Sequence, residues 1–216
     1  MNDMLEGILE KKIITIVRGT YGRELLCLSR ALYDGGIRFM EVTFDQSDPA
    51  CLDKTAEAIA MLDENYKGAM HFGAGTVLSR KQVDAARSAG AGFIISPNTD
   101  PDIIKYTRDC GLISIPGAMT PSEILTAHNC GADLVKLFPA ATLGERYVKD
   151  ILAPISHVKI IATAGITEDN FRRFLELGLK GAGISGRLTD KKLIAAGDWM
   201  EFTRRAETFV NIAAEF

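Results

Sequence analysis

The sequence lacks an apolar run of the length that crosses a membrane, and it lacks an excess of basic residues. A spanning helix needs about 18–20 consecutive apolar residues, and no stretch of the chain supplies them. The formal net charge is −3 over 216 residues, which gives nucleic acid or an anionic lipid surface little to bind. Residues 1–12 contain acids instead of a basic segment followed by an apolar one, so they read as an amphipathic helix and not as a signal peptide. We expect a cytoplasmic protein without nucleic acid or membrane partners.

The sequence also lacks paired metal ligands. Its four cysteines are scattered and form no C-x-x-C pair, which argues against a zinc site or a redox motif. The three histidines show no H-x-x-x-H or H-x-E spacing. We therefore expect free thiols in a reducing compartment, no metal and no cofactor. The residues concerned are Cys27, Cys51, Cys110, Cys130, His71, His128 and His157.

What the sequence does contain is an eightfold alternation of short β-prone runs and helical patterns. Residues of the types that begin helices precede several of these patterns, and Thr120 and Glu123 have the spacing of a capping box. A period of roughly 20–30 residues is typical of βα units, which form parallel sheets covered by helices. The predicted strands lie at 13–17, 37–43, 69–73, 93–96, 112–115, 134–138, 159–163 and 181–185.

Two α/β architectures fit this alternation, a closed barrel and an open doubly wound sheet. The count of eight favours a single-domain (β/α)8 TIM barrel with a short N-terminal helix, and barrels commonly have about 200–250 residues. No linker-like segment divides the chain, so we expect one domain over residues 1–216. Unusual residues fall at the carboxyl ends of the predicted strands, where barrel active sites are built.

Lys136 is the residue least expected from its surroundings, because it lies inside the apolar run L-V-K-L-F-P-A at 134–140. A buried ammonium costs several kcal/mol unless it is paired or loses its proton. A desolvated lysine has a lowered pKa, and the neutral amine attacks carbonyl groups to form a Schiff base. The composition of this run is equally compatible with a lysine that packs its stem and keeps its head in water.

Six short motifs together carry a resemblance to a known family. This ordered set resembles the 2-keto-3-deoxy-6-phosphogluconate (KDPG) and 4-hydroxy-2-oxoglutarate (KHG) aldolases, over nearly the whole chain. The resemblance implies a (β/α)8 barrel, a homotrimer, and class I aldol chemistry without a metal. The motifs are E-V-T at 41–43, G-A-G-T-V-L at 73–78, I-S-P at 95–97, I-P-G at 115–117, T-P-S-E at 120–123 and V-K-L-F-P-A at 135–140.

The resemblance also implies residue roles. Lys136 matches the Schiff-base lysine, and Glu41 matches the general acid/base, although a carboxylate there is also compatible with a purely structural ion pair. The arginine that many members carry after E-V-T is missing, since the run continues F-D-Q at 44–46. Arg18, at the end of the first strand, takes the place of a carboxylate anchor that other members use, unless it is simply an exposed loop residue. The remaining implied pocket residues are Thr76, Pro97 and Phe138.

The clearest departure from the family lies after strands seven and eight. The family usually reads P-T-G-G-I after strand seven, whereas this chain reads A-T-A-G-I at 162–166. Loops at this end of a barrel commonly bind phosphate through backbone N–H groups, and alanine restricts the conformations that glycine allows. We expect a reduced phosphate site made by Thr163, Gly165, Ser185 and Gly186. Asp45 would disfavour an anionic aldehyde if it faced this site.

The function expected from these observations is a class I aldolase that cleaves a 2-keto-3-deoxy sugar acid, or 4-hydroxy-2-oxoglutarate, to pyruvate and an aldehyde. The 6-phosphogluconate is the leading substrate, and a 6-phosphogalactonate or an unphosphorylated acid is the alternative. A catalytically silent barrel that binds sugar acids remains a further reading, since the altered phosphate loops favour it.

Overall fold

The computed structural model describes residues 2–216, and parallel strands that close on themselves form its centre. Along the sheet the strands lie in the order β5-β4-β3-β2-β1-β9-β8-β7-β6. All recorded strand pairs are parallel, as the alternation of strands and helices predicted. The strands are β1 (Ile13–Val17), β2 (Phe39–Thr43), β3 (His71–Gly75), β4 (Phe93–Ile95), β5 (Ile113–Ile115), β6 (Gly117–Ala118), β7 (Val135–Leu137), β8 (Ile160–Thr163) and β9 (Ala182–Ile184).

The fifth predicted strand, 112–115, corresponds to β5, and the chain continues beyond Pro116 as the short strand β6. Proline has no N–H to donate to a neighbouring strand, so the ladder is interrupted there. Its carbonyl still accepts a hydrogen bond from the Lys136 N–H at 2.9 Å. Because β5 pairs with β4 and β6 pairs with β7, this broken strand joins the two edges of the sheet and closes the barrel. The predicted (β/α)8 barrel is thus confirmed, with its fifth strand in two pieces.

Helices cover the outside of the barrel between successive strands. Ser79, Asp100, Thr120 and Thr167 cap their helices through side-chain hydrogen bonds, and the predicted capping box of Thr120 and Glu123 is present. The helices are α1 (Asn2–Lys11), α2 (Gly22–Asp34), α3 (Cys51–Tyr66), α4 (Arg80–Ser88), α5 (Pro101–Asp109), α6 (Pro121–Asn129), α7 (Ala140–Leu152), α8 (Glu168–Glu176), α9 (Lys191–Ala196) and α10 (Trp199–Ala213). Among the residues described, none of these helices has the length and apolar composition needed to cross a membrane.

The third strand is displaced from its predicted position. It runs over β3 and not 69–73, because α3 ends in a turn at Lys67 and Gly68, both with positive φ, and β3 then pairs from His71 with Phe39. Helix α7 begins at Ala140 and is interrupted at Gly144, whose φ is +79°. Helix α9 was not predicted, since six residues carry too weak a periodic signal.

Two apolar layers hold the barrel. The larger one fills the space between strands and helices. The smaller one lies inside the barrel and includes Ile14, Phe39 and Phe93, with Ile8 of α1 buried against them. Met4 and the other apolar residues of α1 pack on the same cluster. Helix α1 therefore covers the end of the barrel that is opposite the carboxyl ends of the strands.

Candidate active site

A cavity of about 600 Å³ opens at the carboxyl ends of the strands. This is the end of a (β/α)8 barrel where active sites are built. Eight of the ten residues predicted for the site line this cavity, and they come from both halves of the chain. They are Arg18, Glu41, Lys136, Phe138, Thr163, Gly165, Ser185 and Gly186.

The other two predicted residues do not line the cavity. Thr76 lies just outside it and accepts a long hydrogen bond of 3.5 Å from Nη2 of Arg18, which does line it. Among the described residues, Pro97 has no recorded contact with a residue of the cavity lining. It follows β4 and packs against Gly117, where an added Cβ would overlap the Pro97 carbonyl. Thr76 therefore reaches the site only through Arg18, and the structure does not bring Pro97 to the pocket wall.

Lys136 extends from the middle of β7 into the barrel interior. Strand β7 is buried on both faces, and Lys136 itself is only 8% exposed. Its Nζ lies 5.2 Å from the centre of the Phe138 ring. Burial lowers the pKa of Lys136, and the nearby Arg18 charge lowers it further, while Glu41 opposes both effects. Lys136 therefore loses its proton at a lower pH than an exposed lysine does.

Glu41 is the carboxylate that faces the same cavity, from the middle of β2. It is 1% exposed, and within residues 2–216 its Oε2 has no hydrogen-bond partner. Burial raises the pKa of Glu41 to about 7, although the positive charges of Lys136 and Arg18 act against the rise. Gly75 on the adjacent strand makes room for this carboxylate, since a Cβ at Gly75 would overlap Oε1 of Glu41.

A chain of amide hydrogen bonds holds the loop that carries Thr76. Thr76 has a φ of +57°, a conformation that non-glycine residues seldom adopt. Its carbonyl accepts a hydrogen bond from Nε2 of Gln46 at 2.7 Å, and Oε1 of Gln46 accepts one from Nε2 of Gln82 at 3.1 Å. Gln82 also accepts a hydrogen bond from the Leu78 N–H at 2.7 Å. The two glutamines therefore hold Thr76 beside Arg18, and no sequence motif points to either of them.

Replacing Gln46 by alanine should weaken substrate binding more than turnover. The Thr76 carbonyl would lose its donor, the loop would relax, and Arg18 would lose the fixed hydroxyl beside it. The loss of one hydrogen bond in a constrained site costs about 1–2 kcal/mol. For the 2-keto acid substrate that the family resemblance implies, we therefore expect KM to rise about 5- to 30-fold with kcat changed less than about threefold. Steady-state kinetics of pyruvate release measure both constants.

The matched control for Gln46 is Ser47→Ala. Ser47 is the next residue, and its hydroxyl donates to Asp45 and not to the loop. This variant should keep the KM of the native chain. A Gln46→Ala enzyme with unchanged KM would mean that Thr76 and Arg18 hold their positions without the amide chain.

The loops after β8 and β9 form the other half of the cavity. Ala164 has a φ of +78° and is followed by Gly165 with a φ of +71°, so the alanine takes the left-handed conformation that glycine would adopt without strain. The Gly165 carbonyl accepts a hydrogen bond from Nδ2 of Asn170 at 2.8 Å, which ties the loop to α8. Ala164 therefore does not force this loop out of the left-handed conformation that a glycine would allow.

Asp45 does not face this half of the cavity. Its Oδ1 accepts hydrogen bonds from both the N–H and the hydroxyl of Ser47, at 3.0 and 2.7 Å. These bonds lower the pKa of Asp45 and keep its charge within its own exposed loop. Asp45 is not among the residues that line the cavity.

Two cations that sequence reasoning missed also line the cavity, Arg187 and Lys191. Both follow β9 in a segment without a recognisable motif, and only the folded chain shows that they face the site. Glu41 is the one carboxylate in the described lining, against four cations counting Arg18 and Lys136. This balance suits a ligand with more than one negative group. Within residues 2–216 no cluster of three or more His, Cys, Asp or Glu side chains is arranged to hold a metal ion.

Comparisons with known proteins find the family that the sequence motifs resemble. A family model described as KDPG and KHG aldolase matches residues 5–205. A 2-dehydro-3-deoxy-phosphogluconate aldolase from Haemophilus influenzae is 32% identical over 210 residues, 97% of this chain and 96% of that protein. A 2-dehydro-3-deoxy-6-phosphogalactonate aldolase from Escherichia coli is 31% identical over 210 residues, 94% of this chain and 95% of that protein. A KDPG aldolase from Legionella pneumophila, crystallised with pyruvate captured as a covalent carbinolamine, superposes with a TM-score of 0.82 at 26% identity, over 93% of this chain and 96% of that one.

Proposed function

The chain belongs to the KDPG and KHG aldolase family, and we propose that Lys136 is the residue through which it performs class I aldol chemistry. Members of this family are carbon–carbon lyases that act on 2-keto-3-deoxy sugar acids, which are also named 2-dehydro-3-deoxy acids. For this chain the reaction is the cleavage of such an acid to pyruvate and an aldehyde. The observation that carries the assignment of Lys136 is its pairing with Glu41 in one cavity, both buried and both with shifted pKa values.

The covalent steps follow from the chemistry of a neutral amine. Nζ of Lys136 adds to the C2 carbonyl of the substrate to give a carbinolamine, which loses water to form an iminium ion. The iminium accepts the electron pair of the C3–C4 bond as that bond breaks, while the C4 hydroxyl gives up its proton and becomes the aldehyde. Protonation of the resulting enamine at C3 and addition of water then release pyruvate and the free lysine. The lowered pKa of Lys136 supports the first step, because only the neutral amine is nucleophilic.

Glu41 supplies the proton transfers in this proposal. Loss of water from the carbinolamine needs a proton donor, and removal of the C4 hydroxyl proton needs an acceptor. A carboxyl group with a pKa of about 7 is present in both forms near neutral pH, which suits both tasks. Arg18 anchors the substrate carboxylate, since a guanidinium binds a carboxylate through two parallel hydrogen bonds. Its side chain reaches toward Thr76, on the same side of the cavity as Glu41.

The substrate favoured by the site carries a second anion at the end remote from the keto group. Ala164 and Gly165 both have positive φ in the loop after β8, and the cations Arg187 and Lys191 line the cavity together with Gly165, Ser185 and Gly186. We therefore propose a 6-phosphorylated 2-keto-3-deoxy sugar acid over an unphosphorylated one. Relatives named for the phosphogluconate and for the phosphogalactonate substrates are equally similar to this chain, so both series belong in the substrate test.

We further propose that the chain works as a homotrimer in the cytoplasm, as a single domain over residues 1–216. The trimer is the assembly implied by the family resemblance, and three exposed apolar side chains near the cavity mouth, Leu78, Met119 and Phe138, are suited to contacts between chains. The four cysteines are free thiols, as a reducing compartment would keep them.

Trapping with borohydride tests the proposed function directly. Borohydride reduces the iminium between pyruvate and a lysine to a stable secondary amine, which adds the three-carbon acid to the mass of one peptide. We expect this adduct on the peptide that contains Lys136, and only when pyruvate and borohydride are both present. Digestion followed by mass spectrometry locates it.

Lys191 provides an internal control because it lines the same cavity. An adduct on Lys191 in place of Lys136 would move the Schiff base to another lysine and contradict the assignment. A chain that forms no adduct and releases no pyruvate from any 2-keto-3-deoxy acid would instead be a catalytically silent barrel.

A further inference from the structure

The cavity presents cations at two places, and Arg18 lies at only one of them. Nη2 of Arg18 donates to Oγ1 of Thr76, which lies beyond β3, so its guanidinium is turned toward the pyruvate half of the site. The loops after β8 and β9 lie on the other side of β1 in the sheet. An anion held at Gly165, Ser185 and Gly186 therefore needs a different cation.

Lys191 is placed to be that cation. It is the first residue of α9, a few positions after Ser185 and Gly186, and it lines the same cavity. Its Nζ donates to the Gly19 carbonyl at 2.7 Å and to Oγ1 of Thr20 at 2.8 Å. These bonds hold the ammonium between the loop after β9 and the loop after β1. An ammonium has three N–H donors, so one remains for a ligand.

The charge of Lys191 is also better placed for a ligand than that of Arg187. Nε and Nη2 of Arg187 donate to Oε1 of Glu168 at 3.2 and 2.8 Å, so a carboxylate already balances that guanidinium. The recorded partners of Lys191 are a carbonyl and a hydroxyl, and neither carries a charge. Partial burial lowers the pKa of Lys191, and the negative charge of Glu24 opposes this effect. An incoming anion would offset this desolvation of the ammonium.

We infer that Lys191 binds the distal phosphate of the substrate and sets the preference of this enzyme for phosphorylated over unphosphorylated 2-keto-3-deoxy acids. The inference rests on the proposed function, because it concerns the remote end of the same substrate. It gives a chain-specific role to a residue outside the loops that carry the family resemblance. A charge-assisted hydrogen bond to phosphate is worth about 10- to 100-fold in affinity.

The test compares Lys191→Gln, Lys191→Arg and the control Lys192→Gln. Lys192 is the next residue on α9, its backbone N–H is capped by Asp190, and it is not among the described lining of the cavity. Pyruvate release is measured with the phosphorylated and unphosphorylated forms of 2-keto-3-deoxygluconate and of 2-keto-3-deoxygalactonate. The variants are compared on one pair of substrates, the gluconates or the galactonates, whichever pair the native enzyme cleaves faster.

Lys191→Gln should lower the ratio of kcat/KM for the phosphorylated substrate to that for the unphosphorylated one about 10- to 100-fold, mainly through KM. Lys191→Arg keeps the charge and should restore most of the ratio, and Lys192→Gln should leave it unchanged. Inorganic phosphate should inhibit the native enzyme competitively and inhibit Lys191→Gln at correspondingly higher concentration.

Two results would overturn the inference. A ratio unchanged in Lys191→Gln would mean that Lys191 does not contact the distal phosphate. An equal loss for both substrates, reproduced by Thr20→Val, would mean that Lys191 acts only by holding the loop after Arg18. Failure of the proposed function looks different, since the native enzyme would then form no borohydride adduct with pyruvate and cleave neither substrate.

Discussion

Replacing Lys136 by methionine is expected to abolish pyruvate release and the borohydride adduct while the protein stays folded. No other described residue places an amine beside Glu41 at this depth of the barrel, and without a covalent intermediate the C3–C4 bond has no electron sink. Removal of an enzyme nucleophile lowers kcat on the order of 10⁴–10⁶-fold. A coupled assay for pyruvate over several hours sets the limit of detection.

The thermal stability of Lys136→Met separates a catalytic loss from misfolding. Burial lowers the pKa of Lys136, so at neutral pH the folded state disfavours the charge that the unfolded chain carries freely. Methionine has a similar length and no charge. The variant should therefore melt at the same temperature as the native protein or higher. Substantial pyruvate release by a folded Lys136→Met enzyme would refute the Schiff-base assignment.

Glu41→Gln is expected to reduce kcat about 10²- to 10⁴-fold, the range that a positioned general acid or base contributes. Glutamine keeps the shape and fits the space beside Gly75, but it can neither give up nor accept the proton. The pH dependence of kcat/KM should show an ionisation near 7 in the native enzyme, from the Glu41 pKa of about 7 in the ligand-free chain, and that ionisation should be missing in the variant. Near-native turnover by Glu41→Gln would assign the proton transfers to another group.

The same variant should change how stability depends on pH. The pKa of Glu41 is about 7 in the folded chain and 4.5 as a free side chain, so the folded state binds more protons between these values. The free energy of unfolding then falls as pH rises from about 4.5 to 7, by up to about 3 kcal/mol. Glu41→Gln removes this contribution. Urea denaturation at pH 5 and pH 8 should show a smaller loss for the variant than for the native protein.

The pyruvate half of the site was accessible to sequence reasoning because its residues lie on strands. A charged residue inside an apolar strand must face either the barrel interior or the helices, and the carboxyl ends of the strands meet at one mouth. Lys136 and Glu41 both stood out on this ground, and the motifs around them carried the family resemblance. The order of eight strands was likewise readable from the alternation of patterns, even though Pro116 divides the fifth.

The distal half was less accessible because it depends on contacts between loops. Lys191 follows no motif, and its place is set by hydrogen bonds to residues about 170 positions earlier in the chain. Gln46 and Gln82 act through backbone groups that only the folded loop brings to them. Ala164 suggested a reduced phosphate site, but the surrounding structure holds this residue at positive φ, as a glycine could be held. The identity of a residue alone does not reveal that its neighbours hold its backbone in a conformation it seldom adopts.

Helix α1 also decides the side from which a substrate reaches the lysine. Because α1 packs with Ile8 and Met4 on the apolar side chains inside the barrel, it covers the end opposite the carboxyl ends of the strands. Side chains fill the interior between that end and the site, so the approach to Lys136 is the cavity at the carboxyl ends of the strands. Lys136 lies deep in this cavity, whereas the loops after β8 and β9 are at its rim. The substrate should therefore enter with its keto end first, and the aldehyde forms nearer to the exit than the pyruvate that is still bound to the lysine.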